Sequence, residues 1–243
     1  MKTLTLVLLG GMMCDERLWA RQRADLSDRA TKIIVGDLTG SSSIEGMAEN
    51  ILADAPERFA LAGFSMGGIV AFEMWRQAPA SISHLALFDT NAAPETPERK
   101  ARRRTEIQNA LDGRLEEMMI EEFKPNYLGA RSRTDTVLRA TILDMALDLG
   151  AAVFERQSLA LRDRPDSRPT LGTITCATIV VCGREDALCP PCDHEFIANS
   201  IPQAKLTILD DCGHMTPLER PRAVSRLLLE LLREQDQPKE IAG

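Results

Sequence analysis

The chain predicts an α/β protein: a mostly parallel sheet with helices on both faces, interrupted once by a helical insertion. Three observations predict it. Short apolar runs recur at residues 4–9, 33–35, 59–62, 85–88, 178–182 and 206–209, with helical stretches between them. Runs that are apolar throughout belong to strands buried on both faces, as in parallel sheets under helices. The residues able to do chemistry gather where the runs end, at residues 10–13, Asp37, Ser65, Asp89, Asp186 and His214. Ligands of such sheets bind beyond the carboxyl ends of the strands. Finally, the alternation stops between residues 92 and 169, where the composition is helical and no strand signal appears.

The first run lies in MKTLTLVLLGGMMC, which has the lysine and apolar residues of a short secretory or lipoprotein signal. The run is short, no small-residue cleavage site follows it, and Met13 before Cys14 suits a lipoprotein site poorly. It therefore reads as a buried first strand, and the protein as cytoplasmic. The run at 59–62 leads through Gly63 into a helix from Ile69 to Trp75, and the run at 85–88 ends on Asp89. Four helical stretches then follow: PERKARRRTEIQNALDG, RLEEMMIEEF, DTVLRATILDMALDLG and AAVFERQSLALRDR, broken by Gly, Pro and Asn. A helical insertion between two strands reads as a cap over the strand ends. The domain reading is a core of residues 1–91 and 170–243 with a cap of residues 92–169. The polar tail after Gln235 is expected to fray.

Composition narrows the function classes. The 243 residues suffice for one α/β domain with a full core. A net charge of −7 argues against bulk attraction to nucleic acid. No run of 18 apolar residues exists to cross a membrane. Six cysteines in this length are not a disulfide scaffold, and Cys176 and Cys182 read as small core residues.

The stretch LAGFSMGGIV crowds Gly63, Gly67 and Gly68 around Ser65 between a strand and a helix. A turn that sharp excludes side chains beside its apex and holds the apex residue in a strained conformation that lifts its side chain clear. Gly63-Phe64-Ser65-Met66-Gly67 fits the G-x-S-x-G nucleophile elbow. The pattern alone is weak, with a chance probability of about 0.08 in a chain this long. The rest of the chain must supply a base, an acid and an oxyanion hole.

Three histidines allow the base to be found by elimination. His84 starts a strand, at the wrong end of the sheet, and reads as a surface residue. His194 falls in the first turn of a helix and reads as solvent-facing. His214, in DDCGHMTPLERP after the last strand, is placed for general-base work on Ser65. Asp186, in VVCGREDALCPP, follows the fifth strand and can fix the imidazole tautomer; its bland alternative is a helix N-cap. Asp89 ends the fourth strand and competes for that role, although Thr90 and Asn91 beside it suit a turn into the cap. The Met66 N–H, at a helix N-terminus, is one oxyanion donor. The second comes from the loop after the first strand, where Met12 is the choice and Met13 its possible replacement.

GFSMGG, VVCGREDALCPP and DDCGHMTPLERP, in this order and spacing, resemble the α/β-hydrolase superfamily. The chain is most similar there to small bacterial carboxylesterases of the pimeloyl-carrier methyl-ester esterase and enol-lactonase type. The resemblance covers nearly the whole chain. It implies the α/β-hydrolase fold, a helical cap after the prototype's sixth strand, and Ser-Asp-His hydrolysis. The prototype's first two strands are missing, so six strands are expected, in the order 4-3-5-6-7-8 of the family's numbering. In that order His214 leaves the edge strand and reaches Ser65 over the strand carrying Asp186. The family's His-Gly oxyanion loop is Gly10-Gly11 here.

The expected function is a serine hydrolase acting on a small-molecule ester or lactone through an acyl-enzyme. A carbon–carbon hydrolase or a lyase on the same triad is the alternative. A third reading takes Cys189, Cys192, Cys212 and His214 as a zinc site, or Cys189 and Cys192 as a redox pair. It would take His214 from Ser65 and leave the elbow unexplained. No cofactor, metal, nucleic acid or membrane partner is expected. Phe123, Met145 and Phe154 in the cap are candidates for lining an acyl pocket. The run Arg99, Lys100, Arg102, Arg103, Arg104 reads as a solvated helix face, or as a patch for an anionic substrate or acyl carrier.

Overall fold

A computed structural model describes residues 4–27, 32–123 and 126–234, with no side-chain account of residues 122 and 123. The tail after Gln235 lies outside the described residues. The strands are β1 (Thr5–Leu9), β2 (Lys32–Gly36), β3 (Phe59–Phe64), β4 (Ile82–Phe88), β5 (Ala177–Gly183) and β6 (Lys205–Leu209). Among the described residues they form one six-stranded sheet in the order β2-β1-β3-β4-β5-β6, each pair parallel. This is the expected order, and every predicted run became a strand. β1, β3 and β4 are buried along their whole length, which is why they read as unbroken apolar runs. The edge strands β2 and β6 are only half-buried, and each begins on an exposed lysine, a residue that discourages edge-to-edge pairing.

Alternate residues of a strand face opposite sides, and two cores result. Leu6 and Leu8 pack with Trp19, Leu26, Val224 and Leu228, from the helices α1 (Ala20–Leu26) and α10 (Pro221–Leu231) and the 3-10 turn before α1. Val7 and Leu9 pack on the other side. There they meet α2 (Ile44–Asp54), α3 (Met66–Gln77) and α8 (Pro191–Ser200) through Met47, Val70 and Ile197.

Between β4 and β5 the described residues contain no strand. α4 (Pro97–Asn109) starts with Thr96 as N-cap, its hydroxyl accepting from the Arg99 N–H, and with proline at the first helical position. A π-helical stretch (Ala110–Arg114) bends at Gly113 and leads into α5 (Leu115–Met118). α6 (Thr136–Arg162) is sharply bent at Gly150, where the two predicted helices meet, and α7 (Arg168–Leu171) follows. Met13, Ala110, Met118, Val153 and Phe154 form a third apolar cluster that ties this segment to the turn after β1. The short α9 (Thr216–Glu219) precedes α10. No described helix is long and apolar enough to cross a membrane.

Candidate active site

Ser65 joins β3 to α3 at φ 51° and ψ −113°, a region that non-glycine residues rarely enter. The neighbours impose this turn. A Cβ on Gly63 would stand 2.4 Å from the carbonyl oxygen of Gly67, and one on Gly67 would stand 2.7 Å from those of Leu9 and Gly10. The Ser65 N–H donates to the Phe88 carbonyl at 2.8 Å, and its carbonyl accepts from the Thr90 hydroxyl at 2.8 Å. The strained residue is thus held on both sides.

His214 lies in the loop after β6, its N–H donating to the Tyr127 carbonyl at 2.8 Å. Its Nε2 is 3.1 Å from Ser65 Oγ and its Nδ1 is 2.8 Å from Asp186 Oδ2. The other Asp186 oxygen accepts from the N–H groups of Leu188 and Cys189, each at 2.9 Å. Burial works to raise the Asp186 carboxyl, but the His214 ring and these backbone donors outweigh it and hold the carboxyl below its usual range. One serine oxygen, one imidazole and one carboxylate therefore stand in hydrogen-bonded series.

Asp89 is not in that series. It is fully buried at φ 47°, with Oδ1 accepting from the Gly183 N–H at 3.1 Å and Oδ2 from the N–H and hydroxyl of Thr216. Burial first, then repulsion from Asp186, pushes its carboxyl well above the usual range. Its contacts tie the end of β4 to β5 and to the chain following His214.

Two histidine expectations need correction. His84 is buried rather than on the surface, between the Ser83 hydroxyl at 3.0 Å and the Glu234 carbonyl at 3.1 Å. His194 is buried rather than solvent-facing. Its Nε2 accepts from the Thr90 N–H at 2.9 Å, and its Nδ1 lies 3.3 Å from the Pro190 carbonyl. Burial lowers its pKa from 6.5 to about 4.

Met13, at φ 56°, donates its N–H to Gln157 Oε1 at 2.8 Å, whereas Met12 lines the cleft that holds Ser65. Met66 is the first residue of α3, so its N–H has no acceptor within the helix. Sequence reasoning passed over Gln157 and Glu219. The Glu219 carboxylate accepts from the N–H groups of Gly213 and Gly129, each at 2.9 Å, and of Met215 at 3.3 Å, which fixes the His214 loop. A glutamate five residues after the candidate base was the available signal.

The cleft encloses about 420 Å³. Ser65, His214 and Met12 line it from the sheet side, and Tyr127, Leu161 and Arg164 from the helical segment. Met145 and Phe154 do not line it. Each is fully buried, Met145 among Trp19, Phe88 and Ile142, and Phe154 in the cluster with Met13. The side chain of Phe123 lies outside the described residues.

The basic run divides. Arg99, Arg102 and Arg103 line the cleft, and Arg103 is buried with only 6% of its side chain exposed. Arg102 pairs with Glu106 at 2.6 Å. Glu95 receives three guanidiniums: Arg103 at 2.6 Å, Arg99 at 3.6 Å and Arg164 at 3.6 Å. Burial opposes its charge, yet Arg103 and Arg164 hold its carboxyl below the usual range. Arg164, lowered by its own burial, also donates to the Ala93 carbonyl at 2.8 Å and to Asn91 at 3.1 Å.

The four-ligand zinc arrangement does not assemble. Cys192 is exposed, and the group that converges is Asp186, Cys189 and His214, without Cys212. All six cysteines are free. Burial pushes the Cys189 thiol far up, whereas a redox pair of this spacing depends on a lowered one.

A sequence model described as the alpha/beta hydrolase family matches residues 6–227. A pimeloyl-[acyl-carrier protein] methyl ester esterase of Aromatoleum aromaticum is 27% identical over 206 residues, covering 79% of this chain and 80% of that one. A thermophilic esterase from Thermogutta terrifontis, solved with malate bound, superposes with a TM-score of 0.88. It is 29% identical, over 96% of this chain and 91% of that one. The enol-lactonase of Burkholderia xenovorans LB400 shares the fold at a TM-score of 0.83, with 22% identity over 96% and 93% of the two chains.

Proposed function

Since the chain belongs to the alpha/beta hydrolase family, we propose that it hydrolyses a carboxylic ester or lactone through a serine acyl-enzyme. The observation that carries this reading is the series Ser65 Oγ, His214 Nε2 at 3.1 Å, and His214 Nδ1 to Asp186 Oδ2 at 2.8 Å, open to the cleft. Ser65 Oγ attacks the ester carbonyl while His214 Nε2 takes its proton. Asp186 holds the Nδ1–H tautomer and stabilises the imidazolium. The N–H groups of Met66 and Met12 receive the charge on the carbonyl oxygen. The imidazolium returns its proton to the departing alkoxide, and water, deprotonated by the same nitrogen, then releases the acid and restores Ser65.

Residues 92–169 act as the cap that selects the substrate. Arg99, Arg103 and Arg164 around the single Glu95 favour a substrate with an acidic group beyond the ester. The Aromatoleum relative's substrate is named as a carrier-bound methyl ester, and malate, bound to the Thermogutta esterase, is a small acid.

The test compares chromogenic short-chain esters with half-esters of dicarboxylic acids, using wild type and Ser65→Ala. Turnover is expected to fall by about 10³-fold or more in the variant with its fold intact, and a fluorophosphonate should label Ser65. Near wild-type turnover by Ser65→Ala would sink the assignment. Good turnover of simple esters also separates ester hydrolysis from carbon–carbon cleavage.

A further inference from the structure

We propose that Asp186, Cys189 and His214 form a site for a soft divalent cation, with Zn²⁺ as the probe, and that filling it switches the hydrolase off. The inhibitory half rests on the function proposed above; the binding half does not.

Three residue types that bind zinc meet here, all buried, with one ligand atom from each within 4.8 Å of the others. Asp186 and Cys189 come from one tight loop, held because Asp186 Oδ1 accepts the Leu188 and Cys189 N–H groups. That leaves Oδ2 directed at His214 Nδ1, 2.8 Å away. Zinc bonds nitrogen and oxygen at about 2.0–2.1 Å, so two tetrahedral ligands stand about 3.3 Å apart. Opening this pair by about half an ångström makes room for the ion. Cys189 Sγ accepts from the Asn91 side-chain amide at 3.4 Å. Cys189 and His214 both line the cleft, which gives the cation access.

The protons account for the inhibition. The neutral His214 ring carries its proton on Nδ1, facing Asp186. When the cation takes Nδ1, that proton resides on Nε2, and the Cys189 thiol proton leaves to solvent. Nε2 then donates toward Ser65 Oγ and can no longer accept its proton.

The full chain is titrated with Zn²⁺ in competition with a chromogenic chelator. Ester turnover is followed in parallel, each variant normalised to its own zinc-free rate. Wild type, Ser65→Ala and Cys192→Ser should each bind one equivalent, and Cys189→Ser and Cys189→Ala should bind at least tenfold more weakly. Zinc inhibition of wild type should be reversed by EDTA, and the concentration giving half inhibition should rise at least tenfold in both Cys189 variants. Thermal melts establish that these variants are folded. Absence of zinc binding by wild type, or equal binding by wild type and both folded Cys189 variants, overturns the proposal. Binding as expected without inhibition of an active wild type overturns its inhibitory half. A wild type that binds zinc but turns over no ester counts against the proposed function and leaves the cation site standing.

Discussion

Replacing His194 with glutamine should remove much of the protein's sensitivity to acid. His194 is fully buried and uses both ring nitrogens: Nε2 accepts the Thr90 N–H at 2.9 Å, and Nδ1 lies 3.3 Å from the Pro190 carbonyl. That pattern requires the neutral ring. Protonation would set an Nε2–H against the Thr90 N–H, and burial lowers the folded pKa to about 4 from an ordinary 6.5. As pH falls, the unfolded chain therefore takes up this proton first. The stability held by neutral His194 is complete above about pH 6.5, declines between 6.5 and 4, and is lost below. At about 1.4 kcal/mol per pH unit, the loss between pH 7 and 5 is about 2 kcal/mol, and the full loss is on the order of 3 kcal/mol. Glutamine can offer Oε1 to Thr90 without titrating. Asp89 has the opposite sign: its raised carboxyl favours the folded state on the acid side. It is present in both proteins, so their difference isolates His194. Urea unfolding at pH 7 and pH 5 measures that difference. Equal loss in wild type and His194→Gln would refute the account.

The other predictions concern the candidate site. Asp186→Asn should reduce kcat by about 10²–10⁴ with little change in KM, because the imidazolium loses its partner in the transition state; Asp89→Asn should be mild, and the reverse order in steady-state kinetics would make Asp89 the acid. Arg99→Gln should raise KM for half-esters of dicarboxylic acids by roughly 3- to 10-fold and leave neutral esters unchanged, about the effect of one partly exposed charge. Equal loss on both substrate classes would make the arginines structural. Glu219→Gln should cost about 1–3 kcal/mol, read as a lower Tm, since charge-assisted bonds from Gly213, Gly129 and Met215 are weakened.

What could be read from the sequence follows from how each feature is encoded. The strands were legible because a strand buried on both faces writes its environment into every residue, as in FALAGF of β3. The Ser65 elbow was legible because close backbone approach at Gly63 and Gly67 admits no side chain. The reading of Asp186 over Asp89 as the partner of His214 drew on the order Ser65, Asp186, His214, on the sheet order implied by the resemblance, and on the turn residues Thr90 and Asn91 beside Asp89. Burial of a lone polar residue leaves no such local trace. His194 looked solvent-facing because its acceptor role is set by Thr90, 104 residues away in the chain. His84 looked like a surface residue because what covers it, the Glu234 carbonyl, is 150 residues away. Met145 and Phe154 were assigned to a pocket on apolarity, yet apolar positions on helices serve first to pack those helices, and both do so.

The basic run shows how charge spacing could have carried the reading further. Arg99, Arg102, Arg103 and Glu106 follow one another at three- or one-residue steps along α4, so all four fall on one face, where Arg102 pairs with Glu106. The sequence therefore already showed one face with three arginines and one glutamate on it. It could not show that Arg164, from beyond the end of α6, joins this face, or that Glu95 receives three guanidiniums. The cluster carries a cost at Arg164, which is depressed first by its burial, an effect that Glu95 opposes, and then by repulsion from Arg103 and Arg99. One more carboxylate, or one neutral residue, would relieve it, and a chain of net charge −7 has carboxylates in excess. The cluster stands on the wall of the cleft that holds Ser65, so on the function proposed above an anionic substrate would supply a further counter-charge. An ester bearing such an anion would gain its binding energy at the arginines, away from the reacting carbonyl. That remote energy can hold the carbonyl against Ser65 and offset the cost of ordering it there.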